Sequence, residues 1–296
     1  MKFNPEAQHP PNDVISGLVE WAARRDSIRA MLLTSTRAVP NAPVDILSDY
    51  DIVLVVEDIH PFHEERSWIQ DFGDPLVTYW DPIYPDPDHG LEKFGNVIQY
   101  VDGLKIDFTL CPVELMRKII QAPTLQAEYD AGYRILVDKD SLTSGMQAPT
   151  YRAYIPIRPT REVYLRMIEE FFSDAPYVAK CLWRGELFPV KWCLDYDMKH
   201  GYLRPMLEGR MEVDHNWSVA TGSLGKGLRK RLPPEIWSRL EDTYTRADVA
   251  DNWAALFRTM ELFRQVATEV GQSLGYEYPS ELHRRVVAYV REIQQL

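Results

Sequence analysis

Residues 48–56 read SDYDIVLVV, and the fold turns on how they are understood. IVLVV is a run of branched apolar side chains, the composition of a strand covered on both faces. Two aspartates, Asp49 and Asp51, stand at its mouth. Alternate residues of a strand share a face, so the pair points the same way, roughly 7 Å apart. Ser48, Asp49 and Asp51 all favour turns, and by itself the stretch is a polar turn feeding a strand. Carboxylates beside a buried strand are nevertheless costly unless a cation or metal accompanies them.

A second segment bears on the same point. In GLKIDFTLCP, residues 103–112, Asp107 interrupts an otherwise apolar strand, with Ile106 and Phe108 on the opposite face. If this strand neighbours the first at the usual spacing of about 4.8 Å, three carboxylates converge on one point. Such a cluster repels itself strongly unless a cation sits within it. Hard oxygen ligands select Mg²⁺, held by a few carboxylates together with substrate phosphates. One or two such ions suit a phosphoryl-type displacement. Upstream, the strand SIRAMLL runs into Thr34-Ser35-Thr36-Arg37. Hydroxyls, backbone N–H groups and a guanidinium at a strand end are suitable phosphate ligands.

Around these segments the chain divides by periodicity. NDVISGLVEWAARRD reads as an amphipathic helix with Asn12 as its cap. Strand-like runs follow: SIRAMLLTS, YDIVLVVE, PLVTYW, NVIQYVDG, LKIDFTL and YRILVDKD, with a hairpin turn at Asp102-Gly103 and a short helix over PVELMRKIIQA. From Thr160 onward the pattern becomes helical throughout. Pro189 and Pro205 are expected to interrupt or kink the long segment 179–211, and Trp183, Trp192, Trp217 and Trp253 are expected to be mostly core. The fold class is therefore α+β: a mixed sheet with flanking helices over residues 1–150, then a helical bundle over 151–296. The Pro-containing stretch at 148–160 suits a linker.

The chain has 296 residues, 45% of them hydrophobic, and a formal charge of −11. That size accommodates two domains. The acidic balance argues against nucleic acid and suits a cationic small-molecule partner. No apolar run approaches the roughly 20 residues that cross a bilayer, and residues 1–14 lack the apolar core of a signal peptide, so no membrane association is expected. Three widely spaced cysteines, Cys111, Cys181 and Cys193, favour neither disulfides nor zinc, and point to the cytoplasm.

The order of strand, hydroxyl-bearing turn, Asp-x-Asp and a third aspartate on a later strand resembles the nucleotidyltransferase superfamily that includes DNA polymerase β. Within it, RAMLLTSTRAVPNAPVDILSDYDIVLVV, SWIQDFGD, DGLKIDFTL and DNWAALFRTMELFRQVATEVGQSLGYEYP are similar to the aminoglycoside 6-adenylyltransferases, the streptomycin-modifying enzymes. The resemblance implies an N-terminal nucleotidyltransferase domain, a C-terminal helical substrate-binding domain, and ATP and an aminoglycoside bound between them. It departs at one point: the family usually has Gly-Ser-Arg where this chain has Ser35-Thr36-Arg37. The implied reaction is ATP-dependent adenylyl transfer in a monomer or small homo-oligomer. Asp49, Asp51 and Asp107 would hold Mg²⁺, and Ser35, Thr36 and Arg37 would grip phosphates. In the helical half, Lys226 of TGSLGKGL is a phosphate candidate, although the spacing does not make a Walker P-loop. Glu186 and Asp195 are candidates for proton removal and for binding a cationic acceptor. The alternatives are another acceptor, or a non-catalytic nucleotide-binding module.

Overall fold

The computed structural model describes residues 11–296, which fall into two compact units, the first ending at Ala153 and the second running Tyr154–Leu296. Helix α1 (Pro11–Ala23) is already helical at Pro11, and the cap expected at Asn12 lies outside the described side chains.

In the first unit the strands are β1 (Ile28–Thr34), β2 (Tyr50–Val56), β3 (Pro75–Trp80), β4 (Tyr84–Pro85), β5 (Glu92–Tyr100), β6 (Lys105–Pro112) and β7 (Tyr133–Asp138). They form one mixed sheet in the order β3-β5-β6-β2-β1-β7, with β4 added beside β5. β2 and β6 run parallel, and the other pairs are antiparallel. The Asp102-Gly103 turn joins β5 to β6, with Gly103 at φ 97°, a conformation that costs glycine little. The other α-helices described in this unit are α2 (His60–Glu64), α3 (Val113–Gln121) and α4 (Ala127–Asp130), with 3₁₀ turns at Ser35–Ala38 and Arg66–Phe72.

β2 is apolar on both faces because both faces are covered. Ile52, Leu54 and Val56 pack with α1 and with Phe62, Trp68 and Ile69. Val53 and Val55 pack with Leu115, Met116 and Ile119 of α3. Period-two alternation then places Asp49 and Asp51 on the α3 side. On β6 the same side carries Lys105, Asp107, Thr109 and Cys111. The apolar pairs fill the covered end of this face, and the carboxylates occupy its other end.

The second unit is helical among its described residues: α5 (Arg161–Trp183), α6 (Leu187–Lys191), a π-helix (Trp192–Leu203), α7 (Arg204–His215), α8 (Pro234–Glu241), α9 (Val249–Leu274) and α10 (Ser280–Gln295). Its core is built around Phe171, Phe172 and Phe263, with the Phe171 and Phe263 rings stacked at 3.7 Å. The break expected at Pro189 is displaced. The chain breaks at Gly185, at φ 72°, where a left-handed turn is easiest for glycine. Pro189 sits inside α6, near its start, where an N–H has no helical partner to lose. Pro205 sits in the first turn of α7. The Arg204 N–H still bonds five residues back, to the Lys199 carbonyl. Pro205 has no N–H, so the wide winding ends there. Among the tryptophans, Trp253 is buried, but Trp183 and Trp192 are 56% and 64% exposed. The expectation of mostly core tryptophans fails for these two because both lie on outward faces flanking the Gly185 break. The three cysteines are free and buried. No helix among the described residues is long and apolar enough to cross a membrane.

Candidate active site

The parallel register pairs Asp51 with Asp107 and Tyr50 with Ile106. On the other side of β2, Thr34 pairs with Asp51, and the Thr34 hydroxyl donates to the Asp51 carbonyl at 3.3 Å. Asp49 precedes β2 by one residue. Continuing the register sets it beside Lys105, the first residue of β6. The Lys105 ammonium donates to Asp49 at 2.6 Å and to Asp107 at 2.8 Å. This lysine was not anticipated from the sequence. Its signal was present in the i, i+2 spacing to Asp107, which puts both on one face of the strand.

Burial raises the Asp51 carboxyl above the usual range, and the neighbouring Asp107 and Asp49 charges push in the same direction. The Ser35 hydroxyl acts in the opposite sense, favouring the ionised form. Asp107 is also raised, by burial first, with Lys105 opposing. Burial works against the Lys105 charge, but its bonds to Asp107 and Asp49 outweigh this and hold its pKa above the usual value. One oxygen of Asp107, Oδ1, is buried without a hydrogen-bond partner.

The three carboxylates thus share one end of one sheet face, but they do not meet at a single point. Among the described residues, the acidic, histidine and cysteine groups that bring three ligand atoms within 4.8 Å of one another are Asp86, Asp88, His89 and Asp174, Cys193, Asp197. Asp49, Asp51 and Asp107 are spread more widely because mutual repulsion separates them and an ammonium stands between two of them. Asp86 is already committed to Lys93 and His89, each at 2.9 Å.

Ser35, Thr36 and Arg37 form a 3₁₀ turn, Ser35–Ala38, directly after β1. Ser35 and Thr36 are exposed. Ser35 has φ 60°, the left-handed region, which is where the family's glycine would be at ease. Arg37 is spent differently from expectation. It donates to the carbonyls of Ser48 and Asp49 at 2.8 and 3.0 Å, and its guanidinium lies 3.9 Å over the Tyr50 ring. It holds the entrance to β2 in shape, which positions Asp49 and Asp51.

The other anticipated residues belong to the second unit. Glu186 is exposed just before α6, without a side-chain cap bond. Asp195 is paired twice, with Lys199 at 2.6 Å and with Lys191 at 3.3 Å. Lys199 is only 2% exposed and also donates to the Thr243 carbonyl at 2.7 Å. Burial lowers its pKa. Lys226 is exposed in a loop where Gly222, Gly225 and Gly227 all have positive φ.

A mixed sheet that carries acids on neighbouring strands behind a hydroxyl-bearing turn is the frame of a nucleotidyltransferase. Comparison with known proteins narrows the class. A family model described as streptomycin adenylyltransferase matches residues 11–293, and the chain belongs to that family of enzymes. An aminoglycoside 6-adenylyltransferase from Campylobacter jejuni is 28% identical over 271 residues, covering 90% of each chain. One from Bacillus subtilis (strain 168) is 29% identical over 264 residues, covering 88% of this chain and 90% of the relative. A crystal structure of an aminoglycoside 6-adenyltransferase from Bacillus subtilis matches with TM-score 0.44 and 22% identity, covering 97% of this chain and 99% of that one.

Proposed function

We propose that the protein transfers AMP from ATP to a hydroxyl of an aminoglycoside such as streptomycin and releases pyrophosphate, with Mg²⁺ as the metal. The observation that carries this reading is the register of Asp51 against Asp107, with Asp49 beside them, in a member of this family. The donor set fits the ion: all three candidates offer hard carboxylate oxygens, and Asp107 Oδ1 is buried without a partner. When bound, Mg²⁺ supplies positive charge that neutralises the phosphates.

The first unit acts as the nucleotidyltransferase domain. Asp49, Asp51 and Asp107 hold the metal. Ser35 and Thr36 present hydroxyls to the triphosphate, and Arg37 keeps the turn and the aspartates in place. The acceptor hydroxyl attacks the α-phosphorus, and the bond to the leaving pyrophosphate breaks. The residues contribute mainly by positioning and by charge. The helical unit serves the acceptor. Glu186, exposed and without an ion pair among the described residues, is its better candidate for binding an ammonium or taking a proton. Asp195 already has two lysines and is the weaker one. Lys226 is a further phosphate ligand.

The test is pyrophosphate release from Mg·ATP with streptomycin, with other aminoglycosides and without acceptor, using Asp51→Asn as control. Release that needs an aminoglycoside and vanishes in the variant supports the reading. Release with none of them, despite ATP binding, overturns the acceptor assignment.

A further inference from the structure

The family pattern accounts for the three aspartates, but not for the ammonium tied to two of them. Lys105 lies on β6 two residues before Asp107, and the β2–β6 register brings Asp49 alongside it. Its Nζ is 2.6 Å from Asp49 Oδ2 and 2.8 Å from Asp107 Oδ2. Among the described residues it is the cation that ion-pairs with either aspartate within 4 Å. Arg37, the other nearby cation, is occupied by the Ser48 and Asp49 carbonyls. Asp51 lacks such a pair.

The arrangement is uneven in charge. Three carboxylates face one ammonium, so two of the three negative charges remain uncompensated there. A divalent cation matches that remainder. It would also seek the same oxygens that Lys105 holds, since Asp49 Oδ2 and Asp107 Oδ2 are both bonded to Nζ. An oxygen engaged with an ammonium at 2.6 Å has to release it before a metal can take its place at bonding distance.

We propose that Lys105 is a built-in counter-cation of this carboxylate site: it holds Asp49 and Asp107 in place before the metal–nucleotide arrives, and it is displaced from them when the metal binds. Lys105 is then a positioning residue that competes with the metal, and its long flexible stem lets the freed ammonium swing toward phosphate oxygens. Divalent-ion affinity in the absence of nucleotide is held down by this competition. ATP restores it, because the phosphates supply an alternative partner for the ammonium. The proposal rests on the metal reading of Asp49, Asp51 and Asp107.

The experiment measures Mn²⁺ binding without ATP, by electron paramagnetic resonance of the free ion, together with thermal stability in EDTA and in saturating Mn²⁺. The proteins are wild type, Lys105→Met, Lys105→Gln, Lys105→Arg and Asp51→Asn. Removing a unit charge a few Å from the ion is expected to tighten Mn²⁺ binding about tenfold or more in the Met and Gln variants, while the Arg variant stays near wild type. The neutral variants should melt lower than wild type in EDTA and recover in Mn²⁺. Unchanged or weaker Mn²⁺ binding in both neutral variants overturns the role. So does a folding defect that Mn²⁺ fails to rescue. If Asp51→Asn binds Mn²⁺ as wild type does, the metal site itself has been misassigned and both readings fall. Binding that depends on Asp51 but not on Lys105 removes the lysine's role alone.

Discussion

Asp51 stands directly opposite Asp107 in the parallel register of β2 and β6, so two carboxylates confront each other across one interstrand gap. Both are pushed above the usual carboxylate range, first by burial. A protein that keeps such a pair sacrifices stability for what the pair does. Asp51→Asn is accordingly expected to raise the melting temperature of the metal-free protein by a few degrees, corresponding to about 1 kcal/mol. The same change should lower adenylyl transfer by about 10³-fold or more, because it removes one of the proposed metal ligands. Calorimetry in EDTA and a pyrophosphate assay check the two halves. A variant that is both less stable and active would contradict them.

Ser35 has a positive φ where the family pattern has glycine. Relief of that strain by Ser35→Gly is worth about 1 kcal/mol, offset by the greater freedom of an unfolded glycine and by the lost hydroxyl beside Asp51. The expected net change in stability is therefore under about 0.5 kcal/mol in urea unfolding. Ser35→Val adds a stiff branched side chain at the same backbone angle and should cost about 2 kcal/mol. Ser35→Gly should also raise KM for ATP, because it removes a hydroxyl proposed to face the triphosphate.

Arg37→Lys preserves charge but loses the two-carbonyl clamp and the stacking on Tyr50. It should destabilise by about 1–2 kcal/mol and reduce kcat/KM roughly tenfold to a hundredfold. Recovery of full activity by lysine would show that the guanidinium is only a charge.

Asp195 shields a lysine that is almost wholly buried. Asp195→Asn leaves that charge with the Thr243 carbonyl and the face of the Tyr244 ring, neither of which carries a full negative charge, and should cost about 2–3 kcal/mol. Adding Lys199→Met should recover much of the loss, because the uncompensated charge is then gone. A double-mutant cycle in urea measures this coupling. If Asp195→Asn leaves stability intact but raises KM for the acceptor, the residue faces substrate after all.

His283 sets a pH dependence whose sign can be worked out. Burial, with Arg264 acting in the same direction, lowers its pKa below 6.5, and its Nδ1 is buried without a partner beside the Phe172 ring. As pH falls through 6.5 the unfolded chain takes up the proton before the folded one. Unfolding is then favoured, so stability drops. His60 is shifted the other way by its hydrogen bond to Asp58 and contributes with opposite sign. The measurement is therefore a difference: the melting temperature of His283→Phe minus wild type should grow as pH falls from about 7.5 to 5.5.

Much of this fold can be read from the chain because local and global signals agree. YDIVLVV is apolar at both parities, as a strand covered on two sides must be, and Asp107 breaks a neighbouring strand on one parity only. Those two facts place the carboxylates on one sheet face. Lys105 escaped notice because a lysine at a strand start is usually a solvated end; only the pairing of β2 with β6 puts Asp49 beside it. The true partners of Arg37 were hidden for a different reason, since backbone carbonyls leave no trace in side-chain patterns. At Pro205 the π-winding does give way to an α-helix, whereas Pro189 misled because proline is harmless in a first turn and Gly185 supplied the break before it. The exposure of Trp183 and Trp192 likewise depends on that break, which turns their faces outward.

The π-winding of Trp192–Leu203 makes this part of the chain sensitive to length rather than to composition. Each of its hydrogen bonds closes one residue later than in an α-helix. Removing a single residue would let the segment rewind as an ordinary helix, changing which carbonyl each N–H meets along it. Point substitutions on the exposed side should be absorbed with little effect, while a one-residue deletion within these twelve positions should shift the melting temperature.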